Sequence, residues 1–340
     1  MDSPVHLAVD TMSGDHGLRV SIPASLQVLR ENSRIHLHLV GDEPAIRREI
    51  SCHDGGAVAA RLSIVHAAET LPMDAKTTTV LRGSQQSSMH VALSLLADSK
   101  VAGVVSAGNT GALMALGRLL LDMLPGFQRP AFCSTIPVRQ GATYMLDLGA
   151  NVDCTARHLH EFALMGTALA STLQGCERPR VALLSNGKEV NKGNSTIRAA
   201  AELLDGDSTV NYCGYIEGDA IHNGDVEVII CDGLIGNIAL KAAEGTAGLA
   251  AELIAEKFSQ HWWHRLLGAL SAPLLSGLSE SLSAERHGGA FLLGLQGVII
   301  KSHGGSSETG FGAALNQAAE CIDHQMVPRL AHYLDSQQGG

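Results

Sequence analysis

The sequence predicts an α/β protein, a three-layer α/β/α sandwich around one mixed, mostly parallel sheet of about ten strands. Short apolar runs rich in β-branched residues end in Gly, Asp or Ser, and most are separated by stretches with helical periodicity. Nearly continuous apolar runs suit strands buried on both faces, and the alternation with helices suits crossover connections. Aromatic residues are only 4% of the 340, which suits helices packed closely on a sheet.

Ten runs are predicted to be strands. In chain order they are HLAVDT (6–11), IHLHLVG (35–41), LSIVHA (62–67), AGVVSAG (102–108), AFCSTIP (131–137), TYMLDLG (143–149), RVALLSNG (180–187), VNYCGYIEG (210–218), VEVIICDG (226–233) and GVIIKSHGG (297–305). The linker VRQGA is too short for a crossover helix, so the strands at 131–136 and 143–147 are expected to be antiparallel.

Composition limits the classes of protein that the chain can be. An apolar content of 45% over 340 residues is enough for a sizeable core, in one domain (1–340) or in two lobes. A net charge of −10 argues against general nucleic-acid binding, and seven cysteines without a CxxC pair support neither a metal site nor a disulfide framework. With no leader-like start and no uncharged run near the roughly 18 residues of a membrane span, a cytoplasmic protein is expected.

Six loops at the carboxyl ends of predicted strands share Gly with Asp, Asn, Ser and Lys. They are DTMSGDHG (10–17), SAGNTG (106–111), LDLGANVD (146–153), SNGKEVNKGN (185–194), CDGLIGN (231–237) and KSHGGSS (301–307). Glycine lets the backbone approach a ligand, and a helix N-terminus offers unpaired N–H groups to an anion. Because ligands of open α/β sheets bind outside the carboxyl ends of strands, we expect the six loops to converge on one edge around a phosphate-bearing ligand.

The standard phosphate fingerprints do not occur in these loops. No GxxxxGK precedes Ser or Thr, and the nearest run to GxGxxG, GFGAAL at 310–315, has Leu in place of the third Gly. A Walker-type NTPase and a standard dinucleotide-binding enzyme are therefore disfavoured.

Several motifs together resemble the bacterial phosphate acyltransferases called PlsX. They are AVDTMSGDHG, SSMHVAL, VVSAGNTGALMA, LDLGANVD, KGN, CDGLIGN and GGAFLLGLQGVIIKSHG, in the order of that family. The resemblance implies conversion of acyl-[acyl-carrier-protein] and inorganic phosphate to acyl phosphate. The chain departs from the family pattern at Ser185 and Lys188, where the family usually has Asn and Glu.

The resemblance covers about residues 5–330 and carries further expectations. It implies a fold similar to isopropylmalate dehydrogenase and phosphotransacetylase, with two lobes and a cleft, expected here at roughly 1–130 plus 310–340 and at 131–309. It implies a homodimer that receives acyl groups from acyl-carrier protein and delivers its product to a membrane-bound glycerol-3-phosphate acyltransferase for phospholipid synthesis. No cofactor is expected.

Phosphate is a nucleophile near neutral pH, so no activated Ser or Cys is required, and no GxSxG elbow is present. Catalysis would then rest on positioning and charge stabilisation. The predicted catalytic residues are Lys301, His303, Asp232, Asp15 and Lys192. The predicted substrate-binding residues are Asp10, Gly14, Ser106, Gly108, Asn109, Thr110, Gly111, Asp147, Asn151, Asn194 and Asn237. Asp147 and Asn151 could equally cap a helix that begins near residue 156.

The segment 257–278 carries apolar residues at helical spacing and both tryptophans of the chain. It is either a core or dimer helix, or a partly exposed tip that touches membrane or the acyl chain, since Trp favours interfaces. The second reading would make the protein peripherally membrane-associated.

Three other functions are weighed against the acyl-carrier-protein reaction. A phosphotransacetylase acting on acyl-coenzyme A would share the transition state but need basic residues for the 3′-phosphate, and none stand out. A metal- and nicotinamide-dependent dehydrogenase of similar fold commonly needs DxxxD, which does not occur. A non-catalytic binding module would leave six chemically equipped loops without a purpose.

Overall fold

The computed structural model describes residues 4–139, 141–259, 263 and 288–338. Within them, eleven strands form one sheet. The strands are β1 (Val5–Asp10), β2 (Ile35–Gly41), β3 (Leu62–His66), β4 (Gly103–Ser106), β5 (Ala131–Pro137), β6 (Ala142–Leu146), β7 (Arg180–Leu184), β8 (Asn211–Ile216), β9 (Val228–Ile230), β10 (Ala290–Leu293) and β11 (Val298–Lys301).

Helices connect most of these strands, and polar residues cap many of them. The helices are α1 (Leu18–Glu31), α2 (Glu43–Cys52), α3 (Thr77–Gly83), α4 (Ser88–Ala97), α5 (Thr110–Leu120), α6 (Ala156–Gln174), α7 (Ser195–Asp205), α8 (Gly233–Ser259), α9 (Glu308–Asp323) and α10 (Met326–Gln338). Short 3₁₀ turns cover Gly55–Arg61 and Gly218–Ala220. The Thr155 side chain accepts a hydrogen bond from the His158 N–H and caps α6 at the predicted start.

The strand order across the sheet is β3-β2-β1-β4-β11-β10-β5-β6-β9-β7-β8. The predicted antiparallel pairing of β5 with β6 is confirmed, and most other neighbours are parallel. The sequence prediction missed β10, which inserts antiparallel between β11 and β5. This strand has only four residues and precedes the short turn into β11, so no helix separates the two strands.

Two apolar clusters cover the two faces of the sheet. One face packs against α1, α6, α9 and α10, and the other against α4 and α5, with Ala239 and Leu240 of α8 at its margin. Alternation along a strand decides which face a residue joins: Leu7 and Val9 belong to the first cluster and Ala8 to the second. The predicted three-layer α/β/α sandwich is therefore confirmed.

The expectation that six loops meet at one edge of the sheet is wrong. Strand β10 is antiparallel to both β11 and β5, and β5 is antiparallel to β6. As a result β6, β9, β7 and β8 run opposite to β1, β4 and β11, and their carboxyl ends lie at the other edge. The three loops that end β1, β4 and β11 form one group, and the loops after β6, β9 and β7 lie at the opposite edge.

Most of the segment 257–278 lies outside the described residues, so its predicted contact with membrane or a partner stays a prediction. The described Trp263 side chain is exposed. No helix of the described part of the chain is long and apolar enough to cross a membrane. The division into two lobes also stays a prediction.

Candidate active site

The loops after β1, β4 and β11 are joined by backbone hydrogen bonds. The Ser302 N–H donates to the Ser106 carbonyl at 2.9 Å, and the Asp15 N–H donates to the Gly304 carbonyl at 2.8 Å. Gly14, with φ of 85°, allows this approach, since an added Cβ would lie 2.9 Å from Cβ of Ala107. Thus the structure brings three of the six predicted loops together.

A buried carboxyl lies beneath these loops. Asp10 ends β1 with no exposed surface, and its Oδ2 accepts a hydrogen bond of 2.7 Å from the Ser106 hydroxyl. The Ser106 Oγ accepts in turn from the Gly108 N–H at 3.1 Å and lies 3.2 Å from the Ser13 Oγ. Because its single hydroxyl hydrogen is directed at Asp10, Ser106 orients the loop in this structure, and its contact with phosphate stays a prediction.

Burial raises the pKa of Asp10 above its ordinary value, and the hydroxyls of Ser88, Ser106 and Ser13 act in the opposite direction. The Asp10 Oδ1 and the Ser88 Oγ make no hydrogen bond of standard geometry among the described residues, although the Ser88 hydroxyl is close enough to oppose the rise in the pKa of Asp10. Buried polar atoms without such partners are rare and mark this carboxyl as unusual.

Helix α5 begins directly above this carboxyl. Its N-cap, Asn109, accepts a hydrogen bond from the Ala112 N–H at 2.8 Å, and its side-chain amide donates to the Met73 carbonyl. Both ends of the Asn109 side chain are thus engaged. The backbone N–H groups of the first turn, from Thr110 and Gly111, are the donors that a helix N-terminus offers to an anion.

Lys301 pairs in register with Ser106 at the end of β4, and His303 follows in the loop after β11. The Lys301 ammonium donates to the Ser302 carbonyl at 3.2 Å, and the His303 Nδ1 accepts from the Gly305 N–H at 3.1 Å. The Asp15 carboxylate is close, since a Cβ on Gly305 would lie 3.4 Å from its Oδ2. Lys301, His303 and Asp15 therefore form one cluster, as their predicted catalytic roles require.

Partial burial of Lys301 lowers its pKa to about 8. The charge of Lys241 on α8 acts in the same direction, while Glu244 and Asp15 oppose it. An ammonium group with this pKa can both carry charge and release a proton near neutral pH. Lys301 is thus suited to holding an anion and to proton transfer.

At the opposite edge, Asp147 is buried and accepts hydrogen bonds from four N–H groups. Its Oδ1 accepts from the Phe132 and Ala150 N–H groups, and its Oδ2 accepts from the backbone and side-chain N–H groups of Asn151. Burial raises the pKa of Asp147, and these hydrogen bonds act against the rise. Neither Asp147 nor Asn151 caps α6, because Thr155 does.

The start of α8 packs against Asp147. The Asp232 carboxylate caps the helix through the Ile235 N–H at 2.8 Å, and Asn237 faces Gly149, whose added Cβ would lie 3.7 Å from Cβ of Asn237. Asp232 and Asn237 therefore share the second edge with Asp147. The substrate roles predicted for all of them stay predictions.

The loop after β7 is held by its own residues. The Asn186 Oδ1 accepts from the Gly193 N–H at 3.0 Å, and Asn194 caps α7 through the Ile197 N–H at 2.9 Å. The Lys192 ammonium lies 4.0 Å from the Glu189 carboxylate, and the side chain is partly exposed. The structure thus places Lys192 and Asn194 at the edge opposite to the loops of Lys301 and Ser106, and their predicted roles stay untested.

Sequence analysis missed Lys241 and Glu244, which act on Lys301 from α8. The signal was present, because Asn237, Lys241 and Glu244 follow one another at helical spacings of four and three. A cavity of about 520 Å³ lies elsewhere, at the amino ends of β1 and β11, where His6 and Val298 line it. The chemistry is concentrated at the carboxyl ends of β1, β4 and β11, which together can hold a small anion beside a lysine.

Comparisons with known proteins agree with this picture. Residues 5–329 match a family model described as a fatty acid synthesis protein. The chain is 46% identical over 330 residues to a phosphate acyltransferase of Halorhodospira halophila, with 97% of this chain and 96% of that protein covered. It is 47% identical over 324 residues to a phosphate acyltransferase of Pseudomonas fluorescens, with 95% and 96% covered.

A solved structure provides the comparison of folds. A phosphotransacetylase from Streptococcus pyogenes superposes with a TM-score of 0.62 at 15% identity, over 96% of this chain and 94% of that one. At this identity the likeness shows the fold alone. It confirms the expected similarity to the phosphotransacetylase fold.

Proposed function

Because the chain belongs to the fatty acid synthesis protein family and its phosphate acyltransferases, we propose that it transfers a long-chain acyl group from acyl-[acyl-carrier-protein] to inorganic phosphate. The chain is an acyltransferase. The carrier-protein thioester as donor, acyl phosphate as product and a role in phospholipid synthesis are the proposed refinements. The reaction is reversible, because an acyl phosphate and a thioester are both activated acyl groups.

One observation supports phosphate as the acceptor more than any other. Lys301, whose pKa is about 8, lies on the same edge as the first turn of α5 and the Asp10 to Ser106 hydrogen bond. Backbone N–H groups and an ammonium group are the donors that a phosphate dianion requires. The Ser106 hydroxyl is buried and its hydrogen is directed at Asp10, which disfavours Ser106 as a carrier of the acyl group.

The proposed reaction is a direct attack without a covalent enzyme intermediate. A phosphate oxygen forms a bond to the thioester carbonyl carbon, and the carbonyl oxygen gains the negative charge of a tetrahedral intermediate. The C–S bond then breaks, and the thiolate leaves with the electron pair. Positioned donors stabilise the developing charge more in the transition state than in the ground state, which is how such a site accelerates the reaction.

Roles follow from positions in this cluster. Lys301 neutralises phosphate or the oxyanion and can protonate the leaving thiolate, with His303 as a second proton donor. Asp15 keeps Lys301 and His303 in place, and Asp10 fixes the loop that carries Gly108 and Asn109. The second edge would supply further groups to the substrates: a catalytic carboxylate from Asp232 and substrate-binding side chains from Asp147, Asn151 and Asn237.

Further parts of the proposal follow from the family. We infer a cytoplasmic homodimer with two lobes that accepts acyl-carrier protein and hands acyl phosphate to a membrane-bound glycerol-3-phosphate acyltransferase. The segment 257–278 would make its peripheral contact with the membrane. Flotation with lipid vesicles tests this membrane contact by comparing wild type with a Trp262→Ala/Leu266→Glu variant. Equal partitioning of the two proteins onto the vesicles would contradict the contact.

The activity is tested directly with purified protein, palmitoyl-[acyl-carrier-protein] and inorganic phosphate. Phosphate-dependent thiol release, with acyl phosphate trapped as a hydroxamate, is the expected result. Palmitoyl-coenzyme A runs in parallel, because the fold is shared with a phosphotransacetylase. Product from coenzyme A alone would assign the chain to that activity, and no product from either donor would contradict the proposal.

A further inference from the structure

A strap, residues 67–76, crosses from the end of β3 to the start of α3. Backbone pairing ties it to the start of α4, where the Ser88 N–H donates to the Glu69 carbonyl at 2.9 Å. Further along the strap, Leu71 and Ala75 pack against the second apolar cluster of the sheet. The strap is therefore held on the body of the protein on both sides of its middle.

The middle of the strap lies on the candidate active site. The side-chain amide of Asn109, the N-cap of α5, donates a hydrogen bond to the Met73 carbonyl. The tip of the Met73 side chain lies against Gly304 in the loop after β11. A Cβ added to Gly304 would be 3.0 Å from the Met73 Cε and 3.8 Å from the Asp15 Oδ1. Met73 thus contacts both the loop before α5 and the loop after β11.

The side chains next to this contact are polar. A Cβ added to Gly305 would lie 3.4 Å from the Asp15 Oδ2 and 3.6 Å from the His303 Nδ1. Met73 is apolar and 40% exposed. A single exposed apolar side chain is ordinary on a protein surface. Met73 differs because its carbonyl and its side-chain tip are both held at the site, so its free flank is a fixed apolar surface beside Asp15 and His303.

The two proposed substrates need different surroundings at such a site. Phosphate requires N–H donors and cationic groups, and a thioether offers neither. The acyl chain of the donor is apolar, and it gains by leaving water for an apolar surface. A Met side chain is unbranched and adapts its shape to the group that it contacts. Met73 therefore suits the acyl chain rather than the phosphate.

We propose that Met73 is a substrate-binding residue that contacts the acyl chain of the donor next to its thioester. The inference rests on the proposed function, since it assigns the acyl side of the same site. Phosphate would lie at the first turn of α5, and the acyl chain would leave the reacting carbon along the strap.

The first test compares Met73→Gln and Met73→Leu with a control on α5, Leu119→Gln. Gln keeps nearly the length of the Met side chain but is polar, whereas Leu keeps an apolar surface. Both Met73 variants retain the main-chain carbonyl that Asn109 holds, so the strap should keep its place. Leu119 is exposed in the last turn of α5, roughly 14 Å from Thr110 along the helix axis. Circular dichroism and melting temperature check that each variant is folded.

Thiol release is measured with palmitoyl- and acetyl-[acyl-carrier-protein] as donors. Met73→Gln is expected to raise the KM for the palmitoyl donor about five- to tenfold, with kcat and the KM for phosphate unchanged. The KM for the acetyl donor should rise by less than about twofold, because its chain is a single methyl group. Met73→Leu and Leu119→Gln should match wild type within about twofold. Equal increases in KM for the two donors, or no increase for either, would overturn the inference.

A second test needs no turnover. Hydrogen peroxide converts an accessible Met thioether to the sulfoxide, which mass spectrometry of peptides measures. Palmitoyl-[acyl-carrier-protein] without phosphate should slow the oxidation of Met73 severalfold, and the acetyl donor should slow it much less. Met123 lies near the turn between β10 and β11, where an added Cβ on Gly294 would be 3.3 Å from its Cε. It is the control and should be oxidised at the same rate with and without either donor.

The oxidation of Met73 also separates the inference from the proposed function. Protection of Met73 by the palmitoyl donor, without thiol release when phosphate is added, would support the inference and contradict the proposed function. Thiol release by a wild type whose Met73 is oxidised equally with and without the palmitoyl donor would overturn the inference and leave the proposed function in place.

Discussion

Ser106 donates its hydroxyl hydrogen to the Oδ2 of Asp10 at 2.7 Å, across the junction of two parallel strands. The two residues end β4 and β1 in register, so the hydrogen bond ties the loops that follow. Both side chains are buried. A buried carboxyl with one such donor and one oxygen without a partner is a costly element of the core, and its place beneath the start of α5 connects it to the proposed phosphate site.

Replacing Ser106 by Ala should destabilise the fold. The change removes the hydroxyl that donates to the Asp10 Oδ2, while the Oδ1 already lacks a partner. Losing a buried hydrogen-bond partner costs about 1–3 kcal/mol. Urea unfolding measures the difference. Ser94→Ala is the control, because its hydroxyl only bonds the His90 carbonyl within α4, and it should change stability by about 0.5 kcal/mol or less. Equal stability of the two variants would contradict the role given to Ser106.

Asp10→Asn should change the pH dependence of stability in a defined direction. Burial raises the folded-state pKa of Asp10 above 3.8, so the native state holds the proton more tightly than the unfolded chain does. The stability that the protonated carboxyl contributes below the unfolded pKa of 3.8 is lost as pH rises through the folded pKa. Because Asn does not titrate, the variant does not lose stability in this way. The free energy of unfolding of the variant, relative to wild type, should therefore increase from pH 4.5 to pH 7.5.

Asp207→Asn provides the matched control for this measurement. Burial acts to raise the pKa of Asp207, but hydrogen bonds from Thr209 and His160 outweigh it and lower the pKa. Its contribution is fully present above the unfolded value of 3.8 and is lost only as pH falls below it, so the relative stability of this variant should stay nearly constant from pH 4.5 to pH 7.5. The same pH trend in both variants would show that Asp10 is not the cause.

The alternation of apolar runs with helices was sufficient to predict the three layers and ten of the eleven strands. Strand β10 was missed because four residues before a tight turn carry no periodicity of their own. The error had a large consequence, because this strand and the β5–β6 hairpin reverse the direction of the second half of the sheet. Strand direction is set by pairing between distant segments, which a local pattern does not encode.

The site was predicted in part for the same reason. Asp10, Ser106 and Lys301 end parallel neighbours and do lie together, as the rule for open sheets requires. Lys241 lies within a helix, far in sequence from any strand end, and its relation to Lys301 depends on where α8 crosses. That relation follows from the reversed half of the sheet and could not be derived before the topology was known.

The activity should fall as pH rises through the pKa of Lys301. Since burial brings that pKa to about 8, the ammonium form predominates below pH 8 and the neutral amine above it. A profile of kcat/KM against pH should show a descending limb near 8. In Lys301→Arg, whose side chain stays charged, that limb should disappear even if the rate is lower.

Glu244→Gln should shift this limb to lower pH. The carboxylate of Glu244 favours the charged form of Lys301, so removing it lowers the pKa further. Glu252→Gln, two turns further along the exposed part of α8, is the control and should leave the limb in place. A limb that moves equally in both variants would show that net charge, rather than the position of Glu244, sets the pKa.

Two glycines of α8 should respond in opposite ways to substitution by Ala. A Cβ on Gly236 would lie 1.8 Å from the Asp147 carbonyl oxygen and 2.9 Å from the Cys231 Sγ, so Gly236→Ala must displace the start of the helix. Gly245 has no atom within 4 Å of such a Cβ. Gly236→Ala should therefore cost about 3 kcal/mol or prevent folding, since backbone atoms cannot yield as a flexible side chain does.

Gly245→Ala should stabilise the protein by about 0.5–1 kcal/mol, because Ala loses less backbone entropy in a helix than Gly. Urea unfolding of both variants measures the contrast. Unchanged stability of Gly236→Ala would mean that α8 does not pack on Asp147 as closely as the structure has it.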